Sequence, residues 1–321
     1  MKNVALERVE TNKIANRQAI SETLLAIGKK NSDILVLTSD SRGSASLVGF
    51  GEALPEQIVE VGIAEQNLVG IAAGLAHSGK LPFVASPACF LSMRSIEQIK
   101  VDVAYSQMNV KLIGISGGIS YGALGMSHHS LQDLAVTRAI PGLDVMMPAD
   151  RHEAKKMIEA LVNYQRPVYL RVGRSPVEDC YLSDEYEFEI GKAVMMKSGN
   201  DLTIIATGDT VRIALDSARE LEQVGINARV LNFHTIKPLD EAAIIKAAKE
   251  TGKIITIEEH SIHGGLGSAV AEIVSQHSPV PIKIIGIPDE PAIAGKAVEV
   301  FEHYGLSVAN IKAIAKVWQS L

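Results

Sequence analysis

The sequence predicts an α/β fold of two domains, each a mainly parallel sheet flanked by helices. Three observations carry that reading. Short, nearly continuous apolar runs alternate with longer amphipathic stretches from end to end. The 321 residues suffice for two domains, taking about 150 residues for each. The alternation lapses once, around residues 175–192, where acidic and turn residues prevail. With 47% apolar and 21% charged residues, the chain is too apolar for disorder.

In the first half, strands are expected at 34–38, 81–85, 110–114, 143–147 and 167–171, because each is an apolar run suited to a sheet covered on both faces. Helices are expected at 16–27, 64–75, 92–105 and 150–161, where apolar residues recur at helical spacing. The boundary is placed in the acidic stretch, giving domains 1–185 and 186–321. The second half restarts with strand 202–206, helix 211–223, strand 228–232, helix 241–250 and strand 253–257. A helix opening near Gly267, strand 282–285 and a last helix near 309–319 complete it.

Several function classes are excluded. A net charge of −6 offers no footprint for nucleic acid or an anionic membrane. Two cysteines, Cys89 and Cys180, make neither a disulfide framework nor a cysteine-based zinc cluster, and they fit a reducing cytoplasm. Residues 1–8 contain no apolar signal region, and no apolar run reaches membrane length. Walker, His-Glu-x-x-His and nucleophile-elbow motifs are absent. Gly265-Leu-Gly267 comes nearest to a dinucleotide fingerprint, but Val270 stands where the third glycine belongs. Two parallel-sheet domains without a phosphate motif point to a partner chain that supplies one.

Four segments carry candidate chemistry. Glu65 opens a small, apolar helix in which Gly70 and Gly74 each cost about 1 kcal/mol, a cost recovered if another backbone approaches there. Its carboxylate either complements the helix dipole or faces a ligand as an unpaired buried acid. Phe90 follows the Ser86-Pro87 turn at the carboxyl end of a strand, where parallel sheets form ligand crevices; ordinary core packing is the other role open to it. A Gly-rich loop from Ser116 runs to His128 and His129, ahead of a helix expected to be capped by Ser130. Metal binding by the adjacent histidines is not expected, since no spaced carboxylate or cysteine accompanies them. Arg171 and Arg174 flank the end of a buried strand and suit either a phosphate or a boundary ion pair.

In this order, the segments resemble the C-terminal half of transketolase and 1-deoxy-D-xylulose-5-phosphate synthase, over essentially the whole chain. Gly62-Ile-Ala-Glu-Gln66 resembles the pyrimidine-domain motif, especially in its deoxyxylulose synthase form. The loop 122–128 matches the frame of the family's Gly-Glu-Asp-Gly-Pro-Thr-His, and residues 230–239 and 258–267 resemble the transketolase C-terminal domain. Nothing matches the Gly-Asp-Gly…Asn motif with which the family holds Mg²⁺ and the cofactor's pyrophosphate.

The resemblance therefore implies one subunit of a split transketolase: a pyrimidine-binding domain plus a C-terminal domain, dependent on thiamin diphosphate. An N-terminal partner subunit would hold Mg²⁺ or a similar ion, in an α₂β₂ assembly acting on sugar phosphates. By position, Glu65 matches the carboxylate that bonds the aminopyrimidine nitrogen, and Phe90 and Ile96 match residues against the cofactor. His128 matches a histidine near substrate hydroxyls, and Arg174 a substrate-phosphate arginine. The activity implied is transfer of a two-carbon ketol unit from a ketose to an aldose. The β subunit of a 2-oxo-acid dehydrogenase, a deoxyxylulose-phosphate synthase-like enzyme and a non-catalytic scaffold are the alternatives. One departure concerns the donor. Ordinary transketolases carry His-Asp where this chain has Ser116-Gly117, and an acid where it has Leu124, which implies a donor other than xylulose 5-phosphate, such as a branched or less common sugar.

Overall fold

A computed structural model describes residues 13–319. Residues 1–8, where no signal region is expected, lie outside the described residues. Two parallel-rich sheets flanked by helices form the body of the molecule, beside a small antiparallel pair, Lys13–Ile14 with Val177–Glu178. The larger has seven strands, in the spatial order Thr235–Lys237, Asp144–Met146, Val168–Val172, Lys111–Ile115, Leu81–Pro87, Ile34–Thr38 and Ile58–Glu60. Only the first pair is antiparallel. The smaller runs Ile282–Ile287, Ile254–Ser261, Leu202–Ala206 and Ala228–Asn232 in parallel, with Val194–Lys197 antiparallel at its edge. Lys111–Ile115, Val168–Val172, Leu202–Ala206 and Ala228–Asn232 are buried at every residue, as strands covered on both faces must be.

All the expected strands are present, and the departures have local causes. Ile58–Glu60 and Val194–Lys197 are short edge strands with little apolar signal. Thr235–Lys237 comes from beyond the expected boundary, yet it pairs with Asp144–Met146 and closes the larger sheet. The helix expected at 92–105 is broken into Ala88–Arg94, Ile96–Gln98 and a wider π-type segment, Ile99–Tyr105. At the break, Ser92 and Ser95 donate their hydroxyls to the carbonyls of Ala88 and Leu91, back-bonding that bends helices. Ser130 caps no helix. Its amide and carbonyl bridge Gly118, and the helix begins at Asp133.

Carboxylates interlock the two halves. Asp150 caps the Arg151–Asn163 helix by accepting from the amides of His152 and Glu153, both at 3.0 Å. Its other oxygen accepts from the amides of Cys180 and Tyr181, so one side chain starts a helix and grips the acidic stretch. Glu153, fully buried, accepts from the Ala149 amide, the Tyr181 hydroxyl and the Asn232 amide group of the second sheet.

Burial pushes the Glu153 carboxyl up to about 7, despite those donors. A raised acid binds its proton in the native state at pH values where the unfolded chain has lost it. Glu153 thus contributes stability that is full below the ordinary carboxyl range and lost as pH rises through about 7. Chemical unfolding at pH 4.5 and 7.5 should show the wild type losing about 2–3 kcal/mol more than Glu153→Gln across that interval. Parallel pH profiles would contradict this.

Candidate active site

The site forms where strand ends of the larger sheet meet the loops that follow them. Glu65 is the first residue of the Glu65–His77 helix and is 4% exposed. The expectation of an unpaired carboxylate is corrected by the structure: Arg94 Nη1 donates to both Glu65 oxygens at 3.1 Å. Strand Leu81–Pro87 ends in Pro87, which sets the entry of the Ala88–Arg94 helix. On that helix Phe90 and Arg94 are four residues apart and share a face. The Arg94 guanidinium lies 3.9 Å from the Phe90 ring centroid.

From Phe90 the contacts continue without a gap. The His128 ring meets Phe90 edge-on at 5.2 Å between centroids, and Tyr121 edge-on at 5.4 Å. The Arg174 guanidinium stands 5.1 Å from the Tyr121 ring. Glu65, Phe90, His128 and Arg174, each identified in sequence separately, therefore lie on one connected surface. The fifth, Ile96, is half-buried and packs on the apolar cluster that includes Leu68 and Leu91; no contact joins it to the connected surface among those described.

The His128 loop is held by its neighbour. His129 is buried, its Nε2 is 3.0 Å from the Gly122 carbonyl, and burial lowers its pKa so that it stays neutral. The Gly125 carbonyl accepts from the amides of both histidines. His128 Nδ1 faces Ser127 Oγ at 3.0 Å, which leaves Nε2 for a ligand.

Three residues of this surface were not identified from sequence: Arg94, Tyr121 and Arg17. A signal existed for Arg94, at helical spacing from Phe90. None existed for Arg17, which comes from the Asn16–Gly28 helix, 157 residues from Arg174 in sequence. Its Nε donates to the Arg174 carbonyl at 3.2 Å and its Nη1 to the Ser44 carbonyl at 2.6 Å. Burial and the Arg174 charge lower the Arg17 pKa, while Arg174 Nη1 is enclosed without a partner. Two crowded guanidiniums with a spare donor have the charge and the free N–H that an anion would need.

The positions that depart from the family pattern also have a structural basis. Ser116 is fully buried with φ of 55°. A Cβ on Gly117 would lie 2.1 Å from Arg171 Nε, so the buried arginine fills the space of any side chain there. Leu124 is 53% exposed. Gly265 and Gly267, which failed as a dinucleotide motif, serve close packing: a Cβ on Gly265 would lie 2.0 Å from a Glu258 oxygen. Glu258 accepts from the amides of Leu266 and Gly267, closing that helix N-terminus to any phosphate.

What these elements define is a two-domain α/β protein whose polar site, among the described residues, gathers no three metal-ligating side chains. Comparison with known proteins agrees with the architecture and narrows it. Residues 12–178 match the transketolase pyrimidine binding domain, and residues 191–311 the transketolase C-terminal domain. The chain belongs to the transketolase family. It is 53% identical over 300 residues to one subunit of an apulose-4-phosphate transketolase of Phocaeicola vulgatus, covering 94% of this chain and 96% of that one. It is 38% identical over 295 residues to a 6-deoxy-6-sulfo-D-fructose transketolase subunit of a Clostridium species, covering 92% and 91%. A solved split-gene transketolase, described as an inactive β4 tetramer, superposes with a TM-score of 0.88 at 37% identity, covering 94% of this chain and 97% of that one. The chain thus resembles the separate subunit of split transketolases over more than nine-tenths of its length.

Gly117 tests the close packing behind the loop. Gly117→Ala should destabilise the protein by about 2–3 kcal/mol through overpacking against Arg171, read as a lowered thermal or urea midpoint. A change within about 0.5 kcal/mol would mean that Arg171 yields freely.

Proposed function

We propose that this chain is the pyrimidine-side subunit of a thiamin diphosphate-dependent transketolase that moves a two-carbon ketol unit from a ketose phosphate to an aldose or aldose phosphate. The observation that carries it is the connected surface from Glu65 through Phe90 and His128 to Arg174, which orders cofactor-side and substrate-side groups in one line. The residues present fit an aminopyrimidine. Glu65 and Phe90 already hold a planar, nitrogen-bearing group between them, the Arg94 guanidinium.

Thiamin diphosphate, when bound, supplies the nucleophilic carbon that breaks and re-forms the ketose bond. This chain supplies the surroundings. Glu65, nearly fully buried, accepts a hydrogen bond from a protonated ring nitrogen and holds that proton in place. Phe90 offers a flat apolar surface for the ring. His128, with Nδ1 turned to Ser127, presents Nε2 to take a proton from a substrate hydroxyl and return it. Arg17 and Arg174 hold the substrate phosphate.

The pyrophosphate and its magnesium or similar ion belong, in this reading, to an N-terminal partner subunit, within a cytoplasmic α₂β₂ assembly. Gly70 and Gly74 support a docking face, because a Cβ at either would meet nothing within 4 Å inside the chain. The close backbone approach expected there is thus left to another chain. Ile63, Met93 and Tyr105, all exposed, lie on the segments beside that helix. The related β4 tetramer described as inactive fits the same division of labour.

The donor we propose is a phosphorylated ketose other than xylulose 5-phosphate, of the branched kind named for the 53%-identical relative. Arg171 excludes a side chain at Gly117, and Ser116 and Leu124 offer no charged group to a donor hydroxyl or phosphate. Loss of one charged hydrogen bond is worth about 1.5–3 kcal/mol, or roughly ten- to a hundredfold in selectivity.

The complex reconstituted with its partner should therefore favour apulose 4-phosphate over xylulose 5-phosphate by at least about tenfold in kcat/KM, while the isolated chain turns over neither. A preference for xylulose 5-phosphate would overturn the donor assignment, and turnover by the pure chain would overturn the division between subunits. In the same complex, His128→Ala should lower kcat by about a hundredfold or more with cofactor affinity little changed. A collapse of cofactor affinity with normal kcat at saturation would move His128 to the cofactor side.

A further inference from the structure

We infer that Arg94 is a latch on the cofactor site, a resident stand-in for the aminopyrimidine that must swing away before the ring can enter. The inference rests on the proposed function and concerns the regulation of that same site.

The geometry is specific. A planar guanidinium lies 3.9 Å from the Phe90 centroid, at stacking distance, and its Nη1 bridges both oxygens of a carboxylate that is 4% exposed. An aminopyrimidine needs the same two contacts, a face on Phe90 and a hydrogen bond to Glu65. Arginine and ring therefore compete for them, and both cannot be made at once.

The latch is built to open. Arg94 ends the Ala88–Arg94 helix, immediately before the break at Ser95, and its side chain is 47% exposed. Glu65 and Phe90 are held by a helix start and a helix interior, whereas the arginine stem has an open path to solvent. Opening returns a guanidinium that is already 47% exposed to water, and the incoming ring takes its place as partner to the 4%-exposed carboxylate, so the two can exchange. It still covers the buried carboxylate until a better partner arrives. The cost of opening is charged against cofactor binding, so Arg94 lowers cofactor affinity rather than raising it.

The test uses the complex reconstituted with the partner subunit, Mg²⁺ and thiamin diphosphate itself, read by calorimetry for Kd and by stopped flow for association. Arg94→Gln should bind thiamin diphosphate roughly five- to tenfold tighter, with a faster association rate. Arg94→Lys keeps the charge but cannot lie flat on the ring, and should show a smaller gain. A structural defect would weaken binding, so a gain of affinity separates the latch from mere damage. Unchanged or weaker binding in both variants would overturn the latch. Glu65→Gln in the same complex tests the underlying reading separately, through C2–H exchange of the bound cofactor. Exchange at the wild-type rate in that variant would remove the proposed function, whatever Arg94 does.

Discussion

The buried guanidinium of Arg171 is the constraint on which the rest of the molecule depends. It stands on the interior strand Val168–Val172, is fully buried, and reaches across the junction to the Glu259 carbonyl of the second sheet at 2.5 Å. Its Nε is ion-paired with Asp133 at 3.3 Å, and its Nη2 also donates to the Ser130 carbonyl. Burial opposes the charge, but Asp133 and Glu259 outweigh it, and the Arg171 pKa is raised. Removing either member of the Arg171–Asp133 pair would strand a buried charge, at about 3–5 kcal/mol. One side chain thereby ties together the Gly-rich loop, the start of the Asp133–Arg138 helix and the second sheet.

A single cation cannot keep every neighbouring carboxyl ionised. Burial pushes the Glu258 carboxyl up to about 7, and those of Glu259 and Asp209 also rise, with the Arg171 charge only partly opposing the shift. His260, also buried there, is pushed down to about 4 and stays neutral. The junction is therefore held by directed hydrogen bonds more than by net charge. The Ile119 amide donates to Glu259, while the Leu266 and Gly267 amides donate to Glu258. Those bonds also use up the helix N-terminus that a nucleotide-binding fold would leave open.

The site inherits its geometry from this junction. The loop carrying His128 begins beside Gly117 and Gly118, both pressed against Arg171, and a Cβ on Gly122 would lie 2.6 Å from the Gly295 carbonyl of the second domain. With the loop pinned at both places, His128 is held between Phe90 and Tyr121 rather than left at a free loop tip. Rigid placement of this kind is what transfer chemistry requires of a group that must meet a substrate hydroxyl.

Periodicity determined the α/β class and the longer strands, because apolar runs are local signals. Residue type and local motifs singled out Glu65, Phe90, His128 and Arg174 as candidates, and the resemblance to transketolase gave them roles. The short edge strands stayed hidden, since three or four half-buried residues leave no period to read. Only the tertiary structure decided that Thr235–Lys237 closes the first sheet, that Arg17 meets Arg174, and that Arg94 rather than solvent faces Glu65. It also decided why Gly117 is a glycine. Each of these is a contact between segments distant in sequence, fixed by where packed elements end. No spacing along the chain encodes which two side chains will share that space.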